Sequence, residues 1–323
     1  MKRLKKIFSL LTLLIVTVFL TACQSAGANT NISERISNSE NPVITWGVKA
    51  DTNLFGQYDI AEGEIVGFDV DMATAITDII TDGKGTAEFV EVTSKTRVPL
   101  LVNGNIDALI ATMTINEDRL EVVNFSDTYF SGGQSLLVPE DSEIQGIDTL
   151  TSDHTVLAVK GSNSTQTFRE MRPDVPVLDL ENYAEAFVAL QAGQGDALTT
   201  DNAILLGIME QNPGYRLAGE NFTREPYGVA TAKGQNGFNA LVNDAIDQLV
   251  ADGTYQEIYN HWFEDLLPNE EVEAELEEAD AWVAENVYVD YYKNNPNESP
   301  DDASGAAASL DALNGESSES EGE

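Results

Sequence analysis

Between Asp107 and Met113 the chain is apolar for the length of one strand, and it then opens abruptly into Thr114, Ile115, Asn116, Glu117, Asp118 and Arg119. This predicts a buried strand that delivers hydroxyls and a guanidinium to its carboxyl end, the place where ligands sit in open α/β sheets. Three more apolar runs, 43–48, 87–92 and 156–159, read as strands. Each is followed by a polar loop: Lys49 to Asn53, Thr93 to Arg97, and Lys160 to Thr165. Helical spacing fills the intervals, with Met72, Ala73, Ile76, Ile79 and Ile80 after an expected N-cap at Asp69. Val98, Leu100 and Leu101 follow in a helix that Gly104 stops. Two more helices are predicted at 238–250 and 254–263, so strands alternate with helices as in an α/β protein.

Nine residues from Leu101 to Leu109 (LVNGNIDAL) are echoed from Leu190 to Leu198 (LQAGQGDAL), with Leu, Gly, Asp, Ala and Leu in identical register. Each copy reads as helix, glycine stop, strand. The first strand ends at Thr112 to Thr114 and the second at Thr199, Thr200 and Asp201. Two similar units facing each other make a cleft lined with polar groups.

Arg119 gains weight from composition, because the chain holds 17 Lys+Arg against 55 Asp+Glu. Its planar fork beside Thr hydroxyls suits a carboxylate, although a helix cap or a pair with Glu117 or Asp118 also fits. The turn Gly161, Ser162, Asn163, Ser164 precedes a helix and offers free N–H groups to an anion; an ordinary capped helix start is the plainer reading. At 323 residues and net charge −38 the chain holds roughly two domains and has no basic face for nucleic acid.

The amino end is basic from Met1 to Lys6 and apolar from Ile7 to Leu20, a secretory signal too short to span a membrane comfortably. Leu20, Thr21, Ala22, Cys23 resembles the bacterial lipobox, which makes residues 1–22 a signal peptide and Cys23 a lipidated first residue that tethers the protein to the cell membrane. Cys23 is the only cysteine, so no internal disulfide or thiolate metal cluster is expected. Residues 23–41 read as a flexible tether. After Pro268 the composition turns acidic: 269–292 fits one helix with Val272, Leu276, Ala279 and Val283 on a face, and 294–323 has no core-forming pattern.

Eight stretches, in order over about residues 43–265, resemble the extracellular solute-binding proteins of polar amino-acid ATP-binding-cassette importers. They are VGFDVDMATAI (66–76), VTSKTRVPLL (92–101), IDALIATMTINEDR (106–119), VNFSDTYF (123–130), VKGSNS (159–164), TTDNAIL (199–205), EPYGVA (225–230) and ADGTYQEIYNHWF (251–263). The resemblance implies a two-lobed, type II periplasmic-binding-protein fold. Lobe 1 comprises 42–130 with 228–267, lobe 2 comprises 131–227, the hinges lie near 129–133 and 223–227, and 268–323 is an acidic extension. It further implies that Arg119 and Thr114 hold an amino-acid carboxylate, that the Thr112 carbonyl and Asp201 take the ammonium, and that Ser162, Asn163 and Ser164 wall the site from lobe 2. Asp51 lies where some members touch the ligand. Ser94 and Arg97 resemble the pair of glutamate/aspartate binders, so an acidic amino acid is expected ahead of glutamine. The implied partners are a free amino acid, an ABC permease and the membrane through the lipid anchor, with the protein itself a monomer.

Two other classes compete. A small dehydratase-like enzyme on the same fold needs an acid or base in the cleft, but His154 and His261 read as surface or packing residues, and GxSxG, HExxH and phosphate-loop motifs are absent, so no metal or cofactor is expected. A sensing ectodomain ordinarily carries a carboxyl-terminal span, and nothing after Phe263 approaches 18 apolar residues.

Overall fold

A computed structural model of the chain describes residues 31–296 and Glu298. The signal sequence 1–22, Cys23 and the tether up to residue 30 lie outside the described residues. Central strands that are largely buried and edge strands, most of them half-exposed, build two five-stranded sheets on one plan. In the first, Thr86–Glu91, Val43–Val48 and Ala108–Leu109 lie parallel, followed by Glu225–Ala232 and Val123–Gly132, each antiparallel to its neighbour. In the second, Val177–Leu180, Val156–Val159 and Ala197–Asp201 lie parallel, followed by antiparallel Gln134–Pro139 and Tyr215–Leu217. Each sheet with its helices is one lobe. The chain crosses to the second sheet after Gly132 and re-enters the first at Glu225.

The sequence echo has a structural cause in both lobes. Gly104 and Gly193 take left-handed φ values of 69° and 67°, which release the backbone from its helix without strain. The N–H groups of Asn105 and Gln194 then donate back to Leu100 and Ala189 at 2.9 and 3.0 Å. Asp107 and Asp196 do the same work in the two lobes. Each carboxylate accepts an N–H from the neighbouring strand edge, that of Thr45 at 2.8 Å and of Thr155 at 2.7 Å.

Two expectations need correction. The end of the expected tether is the helix Ile32–Ser37, capped by Asn31, with Ile32 and Ile36 one turn apart and buried in the core. Two apolar residues in six are too few for periodicity to register, yet they suffice to dock one turn. The start of the next long helix also differs. Its cap position is Gly67, where an added Cβ would stand 2.1 Å from the Phe55 carbonyl oxygen, and Asp69 is instead buried in the first turn.

The acidic extension packs on lobe 1. Helix Val272–Val283 runs into a π-helical turn, Ala284–Tyr288, and then helix Val289–Asn294. Val272, Leu276, Ala279 and Val283 are buried as their spacing predicts, and Val287, Tyr288 and Tyr291 continue the stripe. The wider turn re-phases the helix so that these last three also face inward. Asp280 accepts the Thr128 N–H at 2.7 Å, and Glu278 pairs with Arg224 on the returning crossing at 2.7 Å. Among the described residues, no helix is long and apolar enough to cross a membrane.

Candidate functional site

Polar residues at the carboxyl ends of both parallel strand sets meet between the lobes. On the lobe 1 side Arg119 enters from the short helix Glu117–Leu120, whose start Asn116 caps, and its Nη1 donates to the Thr114 carbonyl at 2.6 Å. Burial and then the neighbouring Arg97 pull its pKa down to about 9, against Glu225, Asp201 and Tyr183, so it is still a cation at neutral pH. Arg97 is buried, and its Nη1 donates to the carbonyls of Ala111 at 2.6 Å and Thr112 at 3.2 Å. Thr112 has φ 47°, a left-handed kink in which its N–H donates to Asp69 Oδ2 at 3.1 Å. Asp69 also accepts from the Tyr129 hydroxyl at 3.0 Å, while burial raises its pKa to about 7.

Lys49, directly after the first strand, is fully buried. Its Nζ lies 3.0 Å from Asp51 Oδ1 and 4.8 Å from the centre of the Tyr183 ring. Burial lowers its pKa and Asp51 opposes that shift. The pair is therefore internally compensated.

From lobe 2 Asp201 reaches in at the N-cap of helix Asn202–Gln211. Its Oδ2 accepts the Tyr227 hydroxyl at 2.6 Å, but its Oδ1 is buried with no partner. Burial and then Glu225 raise the Asp201 pKa to about 7, against Tyr227, Arg119 and Arg97. The helix Asn163–Met171 starts beside it without a side-chain cap, since Ser162 Oγ donates backwards to the Val159 carbonyl at 2.7 Å. An uncapped start leaves first-turn N–H groups for an anion.

The lobes are closed on each other. The Tyr183 N–H donates to Asp51 Oδ2 at 2.8 Å, and Asn53 Nδ2 donates to the Gly207 carbonyl at 2.9 Å. Gly161, with φ 79°, sits so close to the opposite lobe that a Cβ would be 2.7 Å from Lys95 Cα and 2.8 Å from the Ser94 carbonyl oxygen.

Arg119, Arg97, Thr112, Thr114, Asp51, Asn163 and Asp201 are linked by these contacts or by direct charge interactions, and buried Ser94 and Ser164 flank them. The Thr112 carbonyl accepts from Arg97, and Ser162 spends its hydroxyl inside its own turn. Lys49, Asp69, Tyr183, Glu225 and Tyr227 belong to the same network but escaped the sequence reading; for Lys49 the available signal was a lysine ending an apolar strand, and for Glu225 an acid inside a crossing.

Residues 44–265 match the family described as bacterial extracellular solute-binding proteins, family 3. The ABC transporter glutamine-binding protein GlnH of Bacillus subtilis (strain 168) is 49% identical over 269 residues, 81% of this chain and 98% of that protein. The glutamine-binding protein of Geobacillus stearothermophilus is 52% identical over 206 residues, 64% of this chain and 78% of that protein. A solved structure of an ancestral arginine-binding protein bound to glutamine superposes with a TM-score of 0.65 at 37% identity, covering 68% of this chain and 97% of that one.

Proposed function

Since the chain belongs to the bacterial extracellular solute-binding proteins of family 3 and is the substrate-binding protein of an ABC amino-acid transporter, we propose that it takes L-glutamine ahead of L-glutamate and L-aspartate, and that its lobes close around it. The observation that carries the amino-acid reading is the bare Oδ1 of Asp201, a buried carboxylate oxygen without a partner, across the cleft from the Arg119 guanidinium. A buried acceptor left unsatisfied costs about 1–3 kcal/mol or more, and an ammonium group removes that cost. Arg119 and the uncapped start of helix Asn163–Met171 supply the complementary place for the α-carboxylate.

Charge balance favours a neutral side chain. Lys49 is already compensated by Asp51, and Arg97 spends its Nη1 on two backbone carbonyls. Asp69 and Glu225 add negative charge to the same network. A second ligand carboxylate therefore enters a site already crowded with acids, whereas Lys49 Nζ, buried without a hydrogen-bond partner, is open to a neutral amide oxygen. An amide brings one acceptor and two donors without charge, and it matches the Lys49–Asp51 pair. The names of the two glutamine-binding relatives support the same choice. Lipidation at Cys23 is how the protein stays beside its permease.

A thermal-melting panel of all twenty amino acids tests this. At a concentration about 100 times the dissociation constant, linkage adds about 2.7 kcal/mol, so glutamine is expected to give the largest shift. No shift with any amino acid overturns the reading, and a larger shift with glutamate than with glutamine overturns the choice of side chain.

A further inference from the structure

We propose that Glu225 is the latch of lobe closure, a positioning residue that joins the two lobes through a single carboxylate; this rests on the reading that the cleft closes around its solute. Glu225 is 3% exposed and opens the strand that brings the chain back into the first sheet, opposite Gly132 on the outgoing strand. Four donors converge on it. Its Oε2 accepts from Thr114 Oγ1 at 2.7 Å and from Asn163 Nδ2 at 2.6 Å. Its Oε1 accepts from Gln134 Nε2 and from Thr223 Oγ1, both at 2.8 Å.

The two oxygens have different jobs. Gln134 begins the first strand of lobe 2 after the crossing and Thr223 lies on the way back, so Oε1 ties the crossings together. Thr114 belongs to lobe 1 and Asn163 begins a lobe 2 helix, so Oε2 is a point at which the lobes themselves meet. Thr114 and Asn163 part when the lobes swing open, and one oxygen cannot follow both. Closure thus adds a hydrogen bond to a charged acceptor, a class worth enough to change an equilibrium about tenfold to a hundredfold. Because the bond is made in the closed form and broken in the open one, it acts on release more than on capture. The same bonds fix Thr114 and Asn163 beside Arg119, so the latch also sets the wall on which the carboxylate of the solute rests.

The test uses the full chain with one dye on an exposed residue of each lobe, read by single-molecule energy transfer without ligand, and stopped-flow binding of L-glutamine. Glu225→Gln keeps the shape but turns an NH2 toward a donor, and Asn163→Ala removes the lobe 2 arm while leaving the crossing intact should the first variant fold poorly. Each is expected to lower the closed fraction of the free protein about tenfold and to raise glutamine release about tenfold to a hundredfold, with capture changed less than about threefold. The double variant is expected to be no worse than the worse single one, because both remove the same contact. An unchanged closed fraction in folded variants, an equal loss in capture rate, or multiplied effects in the double variant would overturn the latch. A wild-type protein that binds no glutamine sinks the ligand reading instead, and the closed fraction still decides about Glu225.

Discussion

Lowering the pH should release the solute through Asp201. In the free protein burial and Glu225 hold this carboxyl at about 7, well above the ordinary carboxylate range. A ligand ammonium against the bare Oδ1 favours the ionised form, so binding must expel the proton that Asp201 carries below that pH. Affinity should therefore weaken by close to tenfold per unit below about pH 7, and by roughly 20-fold between about pH 7.5 and 5.5. The sign for folding of the free protein is the opposite of the usual acid case. A raised folded pKa means the native state binds more protons than the unfolded chain between about pH 4 and 7, so this group costs stability as pH rises through that window. Calorimetry with glutamine in two buffers of different ionisation enthalpy reads both affinity and protons, and close to one proton should leave per ligand near pH 6. Asp201→Asn removes the titrating group and is expected to bind weakly at every pH, while any remaining slope belongs to Asp69, which sits at a similar pKa. An affinity that is flat from pH 5.5 to 7.5 without proton release would refute the pairing of Asp201 with the ammonium.

Two further substitutions probe closure and packing separately. Gly161→Ala puts a methyl group 2.7 Å from Lys95 Cα in the other lobe, so it should weaken glutamine at least tenfold and abolish ligand-induced compaction in small-angle scattering. Its own left-handed backbone adds only about 1–2 kcal/mol to the loss of stability in urea, and unchanged affinity would show that the lobes do not approach this closely in solution. Tyr288 is 1% exposed in the core that the extension shares with lobe 1, and its hydroxyl is buried without a partner. Tyr288→Ala should cost about 3–5 kcal/mol in urea unfolding and Tyr288→Phe should be neutral or stabilising; a mild effect of Tyr288→Ala would mean that the extension does not dock.

What could be read from the chain was what acts close to its own position. Gly104 and Gly193 stop helices by their own backbone, and Asp107 and Asp196 bind the strand edge next door, so the nine-residue echo announced two like lobes. Arg119 and Asp201 were visible for a related reason, since each follows a strand whose end had to face the cleft. The ligand's side chain was not legible in this way, because it depends on which charges are already spent. Ser94 and Arg97 point to an acidic solute in the sequence, but the donation of Arg97 to Ala111 and Thr112 and the closing of Tyr183 over Lys49 from the other lobe depend on residues far along the chain. The extension was legible only in part. Its composition, 17 acids and one lysine from 269 to 323, averages over all faces of the helix and describes a segment that repels itself. Folding sees only the buried stripe, and there the apolar residues recur from Val272 to Val283 before the π-helical turn shifts their phase. Val287, Tyr288 and Tyr291 follow that shift into the lobe 1 core with Val283.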